Sequence, residues 1–454
     1  MSTRSSLTEQ LADWIDSLTW DAVPADVIER ARLCLLDGLG CGIAGSATPE
    51  GTAIGAAVKD FDTGEACAFW GVSTRGSAPS AALVNGTAMH ALEFDDVNLT
   101  IGHPGLAVIP ATLAVGEWCG ASGRELLLAI VAGYEIGCRI AGALDFNAHS
   151  ERGWHPVGTC GGFAAAAAAG RLLKLGRREL VSALGLGGTT AGGVHAYKVD
   201  GTMSKRFHAG HAAHDGLVAA LAARRGFTGP AWILEAQWGG LLAMMSDRPA
   251  PERVVSGLGT TFAIMDTEFK LFPSCYGAHT ATEAALTLCH THGVRPDQVQ
   301  AVTVRTNDLT AKFCASTEGR TDLAAQMSIP YAVAAALVRG RASVAEYRDV
   351  IHQDPGLWDL EHRVRVYVDS RFPDRGSPST VELTLTDGRV LTETVDEPRG
   401  SLARPASSHE LTAKFRELAG LTLPASQVTA LQALVTGPAL LDETADLWTL
   451  LQPR

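Results

Sequence analysis

Most side chains that could do chemistry in this 454-residue sequence lie in four short polar segments. Each segment combines histidine, lysine, cysteine or carboxylate side chains with glycine or proline, which favour loops and helix ends. These side chains suit proton transfer and the binding of anions. The four segments are HALEFDD with the following GHPG, GWHP, SKRFHAGHAAHD and KLFPSCYGAH.

The first segment places three carboxylates within four residues, at Glu93, Asp95 and Asp96. Burying three carboxylates without partners would be costly, so the pattern indicates either a solvated surface or a polar site. His103 follows in the loop-like sequence GHPG, where a histidine has no packing role. His103 is therefore a candidate for catalysis.

The second and third segments add a histidine and two cations. His155 lies in GWHP, where it could be a hydrogen-bonded core residue or a catalyst. Ser204 can cap a helix that begins with Lys205 and Arg206. The start of such a helix is a candidate anion site, because its backbone N–H groups and its cations both attract negative charge.

Three histidines, His208, His211 and His214, recur at every third position of the third segment and share one broad face of the predicted helix. A zinc site needs a further ligand, and the sequence lacks the i, i+4 pair of an H-E-x-x-H motif. We therefore predict no metal site, with a metal hydrolase as the alternative that this segment leaves open.

The fourth segment places Lys270 and Cys275 five residues apart and ends at His279. Proline and glycine interrupt the backbone here, which is typical of a functional loop at a domain junction. The other interpretation is a hinge that carries an ordinary thiol.

The composition argues against several function classes. The sequence has 37 Lys and Arg against 49 Asp and Glu, a net charge of −12, which disfavours a nucleic-acid partner. Nine cysteines without a C-x-x-C pair indicate reduced thiols and a cytoplasmic protein. The amino terminus lacks the apolar core of a signal peptide. The apolar run at Phe163–Gly170 is too short to span a bilayer, so we expect no membrane partner.

Two hydrophobic patterns divide the chain. Residues 1–265 show helical periodicity and many small residues, and helical periodicity returns in residues 403–454. Period-two alternation, typical of strands, is confined to residues 266–402, where Asp387-Gly388 predicts a two-residue hairpin turn. We therefore predict a mainly α fold. Its large all-helical domain is formed by 1–265 and 403–454, and a smaller α+β unit, 266–402, is inserted between them.

Together and in this order, the segments resemble the MmgE/PrpD family, which includes 2-methylcitrate dehydratase, cis-aconitate decarboxylase and iminodisuccinate epimerase. The resemblance runs from residue 36 to the C-terminal helix. It implies that the α+β unit is a lid domain, that the protein is a homodimer, and that it uses no metal or organic cofactor. The most specific matches are VNGTAMHALEFDD, GTMSKRFHAGHAAHDG, RGFTGP and KLFPSCYGAH.

The resemblance also implies a pocket that these segments assemble. Tyr331 joins it because QMSIPY is similar to the S-x-x-Y segment of the family. We expect two groups of residues, one catalytic and one substrate-binding. The catalytic group is His103, His155, Lys205, Lys270 and Cys275. The substrate-binding group is Glu93, Asp96, Arg206, His279 and Tyr331.

Reactions of this family make or break a C–H bond beside a carboxylate. We expect Lys205 and Lys270 to bind and polarise the carboxylates of a small di- or tricarboxylate. His103 and His155 would transfer protons, and Cys275 would close the site from the lid. The leading prediction is a cofactor-independent lyase, a hydratase/dehydratase or decarboxylase, acting on a substrate such as 2-methylcitrate or cis-aconitate.

Three positions differ from the pattern of the aconitate decarboxylases. Glu93 stands where Asp is expected, Val97 where Thr is expected, and Cys275 where His is expected. The form P-S-C-Y-x-x-H is similar to the epimerase branch, so an epimerase or isomerase of a dicarboxylate such as iminodisuccinate is the alternative prediction. A member that binds a carboxylate without turnover is a third.

Overall fold

The computed structural model describes residues 5–317, 321–348, 354–373 and 376–453. It is 59% helical, with a small mixed sheet in the C-terminal region. The predicted mainly α fold class is therefore confirmed.

The first part of the chain forms helices, and serine side chains cap the starts of the first and the sixth of them. Ser6 and Ser122 each accept a backbone hydrogen bond from a glutamate three residues later, and that glutamate binds back to the serine N–H. The helices are α1 (Leu7–Ser17), α2 (Ala25–Gly45), α3 (Pro49–Lys59), α4 (Ala78–Met89), α5 (Gly105–Cys119), α6 (Gly123–Leu144), α7 (Phe146–Glu151), α8 (Pro156–Leu172), α9 (Arg177–Thr189), α10 (Tyr197–Asp200), α11 (Ser204–Arg224) and α12 (Leu241–Met245).

Small residues allow the central helices α4, α8 and α11 to pack closely. A Cβ atom added to Gly216 of α11 would lie 2.4 Å from the carbonyl oxygen of Gly162 in α8. One added to Gly210 would lie 2.2 Å from the carbonyl oxygen of Leu83 in α4. Larger side chains would push α11 outward, so these glycines fix the position of Lys205 in the first turn of α11.

Helix α6 is long and apolar enough to cross a membrane, although no such run was predicted from the sequence. In the folded chain, 94% of its apolar window is buried inside the protein. Contact with α5 and α8 in the core accounts for that apolar surface.

The second part of the chain contains the sheet, in the strand order β6-β5-β7-β8. Strand β5 pairs parallel with β6 and antiparallel with β7, and β7 pairs antiparallel with β8. Helices α13 and α16 pack on this sheet and share its core. The strands are β5 (Val299–Thr306), β6 (Val364–Val368), β7 (Ser379–Leu385) and β8 (Val390–Val395); the helices are α13 (His279–His292), α14 (Asp308–Cys314), α15 (Asp322–Gln326), α16 (Ile329–Arg339) and α17 (Pro355–Glu361).

The predicted two-residue turn at Asp387-Gly388 is wrong by one residue. The N–H of Leu385 donates to the carbonyl of Arg389 at 2.9 Å, which leaves residues 386–388 as a three-residue loop. Gly388 occupies the position with positive φ (86°), where glycine is favoured because it has no Cβ.

The C-terminal tail returns to the first part of the chain. Leu411 and Phe415 belong to the same hydrophobic core as most of the helices from α1 to α12, whereas the core of the sheet is built from residues between Ala278 and Val395. The predicted domain bounds stay a prediction. The tail contains α18 (Ser408–Ala419), α19 (Ala425–Thr436) and α20 (Ala445–Leu450).

Short strand pairs complete the fold. Strand β3 pairs antiparallel with β4, so that Val97 lies opposite Glu268 and Asn98 opposite Thr267. This pairing joins the carboxylate-rich segment to the start of the second part of the chain. The remaining short strands are β1 (Cys67–Ala68), β2 (Arg75–Gly76), β3 (Val97–Asn98) and β4 (Thr267–Glu268).

Candidate active site

A cavity of about 330 Å³ lies where the polar segments meet, a size that suits a small-molecule ligand. It opens between the loop after α4, the starts of α8 and α11, and the loop before α13. The polar side chains that line it from the predicted catalytic and binding sets are Glu93, His103, His155, Lys205 and Cys275.

Glu93 lies at the centre of the site and holds two lysines. Its Oε1 atom accepts hydrogen bonds from Nζ of Lys205 at 2.5 Å and from Nζ of Lys270 at 3.2 Å. Lys270 also donates to the Glu93 carbonyl at 2.9 Å. The backbone of Glu93 has φ of 51°, a conformation that costs a non-glycine residue free energy and is common at functional sites.

The charges of this buried group are set by competition between burial and pairing. Burial opposes the ionised form of Glu93, but Lys205 and Lys270 outweigh it and hold the pKa of Glu93 well below its usual value. Burial lowers the pKa of Lys205 more than Glu93 restores it. For Lys270, Glu93 and Asp95 outweigh burial and raise the pKa. Lys205 is therefore the lysine that loses its proton more easily.

Asp95 joins two histidines behind the cavity. Its Oδ1 lies 2.8 Å from Nδ1 of His90, and its Oδ2 lies 2.8 Å from Nδ1 of His103. The two imidazoles outweigh burial and keep the pKa of Asp95 well below its usual value. Nδ1 of His103 also lies 2.9 Å from the carbonyl of Asp96. With both acceptors at Nδ1, the neutral ring carries its proton there and leaves Nε2 free to act as a base.

The same three side chains could in principle hold a metal ion, because donor atoms of His90, Asp95 and His103 lie within 4.8 Å of one another. Zinc usually takes four ligands, or three with a water. Here the Nδ1 atoms already pair with the Asp95 carboxylate. The contacts therefore favour a hydrogen-bonded triad, and the absence of metal stays a prediction.

His155 lies at the start of α8 within a group of rings. Its Nδ1 is 3.1 Å from Nδ1 of His208, so one of the two rings donates to the other. Burial lowers the pKa of His155 well below its usual value and that of His208 to about 4. Nδ1 of His195, which also lines the cavity, lies 3.0 Å from the Tyr197 hydroxyl. These histidines are neutral at physiological pH.

Cys275 contributes a thiol to the cavity from the loop before α13. A hydrogen bond with Cys314 and the nearby Lys205 and Lys270 ammonium groups outweigh burial and lower the pKa of Cys275 to about 6. The lowered pKa favours the thiolate form of Cys275, which acts as a nucleophile or base rather than as a proton donor.

The other predicted residues lie outside the lining of the cavity. Lys270 is fully buried behind Glu93. Asp96 accepts a hydrogen bond of 2.6 Å from the Tyr134 hydroxyl, and burial raises its pKa to about 8. His279 packs between the rings of Phe272 and Tyr276. Tyr331 donates to the carbonyl of Glu346.

The predicted anion site at the start of α11 does not form as expected. Met203, not Ser204, precedes the first turn, and it caps no N–H through its side chain. Arg206 is fully buried, donates to the Gln326 side chain and lies 3.6 Å from Glu50. Of the two adjacent cations only Lys205 faces the cavity, because neighbouring positions on a helix point in different directions.

Three further residues, Lys414, Asp37 and His195, support the site, and none of them was predicted from the sequence. Lys414 of α18 donates to Asp37 at 2.6 Å, to the carbonyl of Phe94 at 2.5 Å and to the carbonyl of Lys270 at 3.0 Å. The Lys414 side chain therefore links the tail both to the residue after Glu93 and to Lys270. His195, the third residue, lines the cavity. Neither a lone lysine in a tail helix nor a histidine in a glycine-rich loop gave a signal in the sequence.

Comparisons with known proteins agree with the resemblance seen in the sequence. The profile of the MmgE/PrpD N-terminal domain matches residues 9–253, and that of the MmgE/PrpD C-terminal domain matches residues 272–437. The chain is 30% identical to a cis-aconitate decarboxylase of Aspergillus terreus, over 99% of this chain and 96% of that protein. It is 28% identical to the cis-aconitate decarboxylase of Homo sapiens, over 98% and 95%. It is 26% identical to the 2-methylcitrate dehydratase of Salmonella typhimurium, over 92% and 91%.

Proposed function

This chain belongs to the MmgE/PrpD family, and on that premise we propose that it is a lyase acting on tricarboxylates. Cis-aconitate decarboxylation is the first candidate, because the decarboxylase relatives reach 30% identity over nearly the whole chain. Dehydration of 2-methylcitrate is the second, because dehydratase relatives also align over more than nine-tenths of the chain, at 26–27% identity.

The observation that supports this proposal most is the placement of Lys205 in the cavity. Glu93 shares its single negative charge between Lys205 and Lys270. These three side chains together therefore carry one positive charge. Lys205 faces the cavity and would bind a substrate carboxylate. Lys270 lies behind Glu93 and would position it, which narrows the expected role of Lys270 from binding substrate to holding Glu93.

His103 is the proposed acid–base residue. Its Nε2 lies 3.8 Å from Oε1 of Glu93, close to the lysine that would hold the carboxylate. In a dehydration, Nε2 removes a proton from the carbon beside a carboxylate, the C–O bond breaks, and the departing hydroxide takes a proton to become water. In a decarboxylation, the electrons left by carbon dioxide are delocalised into a neighbouring carboxylate, and protonated His103 returns a proton to carbon. Lys205 stabilises the enolate charge in both reactions.

The neutral histidines and the thiolate complete the proposal. His155 and His195 are kept neutral by burial, so they can donate hydrogen bonds to substrate without the cost of a buried charge. The thiolate of Cys275 lies near Lys205. It is the residue that an epimerase would use as a second base, and the epimerase alternative stays a prediction.

Proton NMR of substrate mixtures tests the proposed function. The purified chain is incubated in D₂O with cis-aconitate, 2-methylcitrate or a dicarboxylate such as malate. We expect loss of one tricarboxylate together with release of carbon dioxide or water. Exchange of carbon-bound hydrogen for deuterium without net consumption would contradict the lyase and favour the epimerase.

The expected homodimer and cytoplasmic location also stay proposals. Large apolar side chains are exposed on and after α11, including Phe207, Phe227 and Trp238, and exposed apolar surface is frequent at subunit interfaces. Light scattering at micromolar concentration would report twice the 47.6 kDa chain mass for a dimer.

A further inference from the structure

Two thiols, those of Cys275 and Cys314, lie beside Gly277 at one wall of the cavity. Cys275 is partly exposed and lines the cavity, whereas Cys314, the last residue of α14, is fully buried. A Cβ atom added to Gly277 would lie 3.2 Å from Sγ of Cys314 and 3.9 Å from Sγ of Cys275. Both sulfur atoms therefore lie on the same side of Gly277, and each thiol shifts the pKa of the other.

The two thiols differ in ionisation. The Cys314 hydrogen bond and the Lys205 ammonium group lower the pKa of Cys275 to about 6. The ionised neighbour and burial raise the pKa of Cys314 well above its usual value. A partly exposed thiol of lowered pKa beside a buried thiol of raised pKa is the arrangement of an attacking and a resolving cysteine.

A cation also stands close to the buried thiol. Nζ of Lys198 lies 3.0 Å from the ring centroid of Phe313, the residue before Cys314. Lys198 favours negative charge on both sulfur atoms. It would therefore assist when Cys314 loses its proton during attack on an oxidised Cys275.

We propose that Cys275 and Cys314 are a reversible oxidation site, at which a peroxide oxidises Cys275 and Cys314 then closes a disulfide. The Cys275 thiolate attacks one oxygen of hydrogen peroxide, the O–O bond breaks, and the leaving hydroxide takes a proton to become water. Cys275 is then a sulfenic acid. The sulfur of Cys314 attacks the sulfur of Cys275, the S–O bond breaks, and the hydroxyl leaves with the Cys314 proton as a second water.

The disulfide would inactivate the enzyme, a consequence that rests on the proposed function. It would draw the sulfur of Cys275 away from Lys205 and towards α14 and remove a negative charge from the cavity wall. A dithiol reductant would restore both.

Peptide mass mapping tests the site without the need for a substrate. The full-length protein is reduced, treated with hydrogen peroxide, alkylated and digested. We expect one linked peptide pair that contains Cys275 and Cys314, with the loss of two hydrogen atoms, and its disappearance after dithiothreitol. If both thiols are alkylated after peroxide treatment that oxidises other cysteines, or if Cys275 links elsewhere, the proposal is wrong.

Variants separate the resolving step from ordinary oxidation. In Cys314→Ser, Cys275 should form a sulfenic acid that dimedone traps. Further peroxide should oxidise it to sulfinic and sulfonic acid, from which dithiothreitol does not restore the Cys275 thiol. Cys314→Ala should behave in the same way and guards against a folding effect of the serine. Cys289→Ser, a partly exposed cysteine of the same part of the chain, should behave as wild type. If dithiothreitol restores the free Cys275 thiol in Cys314→Ser or Cys314→Ala as completely as in wild type, Cys314 is not the resolving cysteine.

Discussion

Nζ of Lys205 lies 2.5 Å from Oε1 of Glu93, although the two residues are 112 positions apart in the chain. Lys270, 177 positions from Glu93, binds the same oxygen atom. Glu93 therefore fixes the start of α11 to the strand β4 region, and the cavity depends on this contact. The Glu93 carboxylate is an internal counter-ion that offsets the cost of burying two lysine ammonium groups before a substrate carboxylate binds.

Asp95→Asn should lower kcat by about 100-fold or more while KM changes little. The carbonyl of Asp96 would still accept the Nδ1 proton of His103. The variant would instead lack the carboxylate that lies 2.8 Å from this ring and stabilises the imidazolium formed when Nε2 takes a proton. Steady-state kinetics on the identified tricarboxylate measures this effect. Asp247→Asn, at an exposed carboxylate paired with Arg152, should retain wild-type kinetics. Equal kcat values for the two variants would refute the positioning role of Asp95.

Asp96 should make the protein less stable as the pH rises. Its pKa is raised from 3.8 to about 8 by burial, so between these values the folded state binds the proton and the unfolded state does not. The free energy of unfolding therefore falls from about pH 4 to about pH 8 and levels off above. Asp96→Asn removes this contribution, and urea denaturation at pH 5 and pH 8 should show a smaller difference between the two pH values than in wild type. Identical differences would show that Asp96 is ionised in the folded state.

The sequence predicted the fold class because helical and strand periodicity occupy separate parts of the chain. It also predicted that Glu93, His103, His155, Lys205 and Cys275 belong to one pocket, and these residues line one cavity. The family resemblance carried that result, since the spacing of these residues along the chain says nothing about their distance in space.

Side-chain direction was the part that the sequence did not predict. Lys205 and Arg206 are adjacent, yet one faces the cavity and the other binds Gln326 in the core. The direction depends on how α11 is rotated against α4 and α8, which glycine contacts decide. Lys414 was missed for a similar reason, because its partners Asp37 and Lys270 come from distant parts of the chain.

Lys414→Met should destabilise the fold by about 3–5 kcal/mol, because it leaves the buried Asp37 carboxylate without its partner. Adding Asp37→Asn removes the unpaired charge and should recover part of this loss. Urea denaturation of the single and double variants measures both effects. Lys59→Met, at an exposed lysine, should change the free energy of unfolding by less than about 0.5 kcal/mol. A Lys414→Met variant as stable as Lys59→Met would show that the buried pair contributes nothing.

Metal removal should leave turnover unchanged. His90, Asp95 and His103 could offer three ligands, but Nδ1 of His90 already pairs with Asp95 and Nδ1 of His103 with the carbonyl of Asp96. The test is activity before and after dialysis against a chelator, together with the metal content of the purified protein. Stoichiometric metal that is lost with activity, and that restores activity when added back, would reverse this prediction and reassign the triad.

The most direct test of the proposed site is the turnover of Lys205→Met on the tricarboxylate that the wild-type chain consumes. Methionine keeps the unbranched shape of the side chain, one atom shorter, and removes the charge that would bind the carboxylate and stabilise the enolate. We predict a kcat at least about 100-fold below wild type, with the folded protein retained by circular dichroism and with Lys59→Met unaffected. Wild-type turnover by a folded Lys205→Met protein would contradict the assignment of this cavity as the active site.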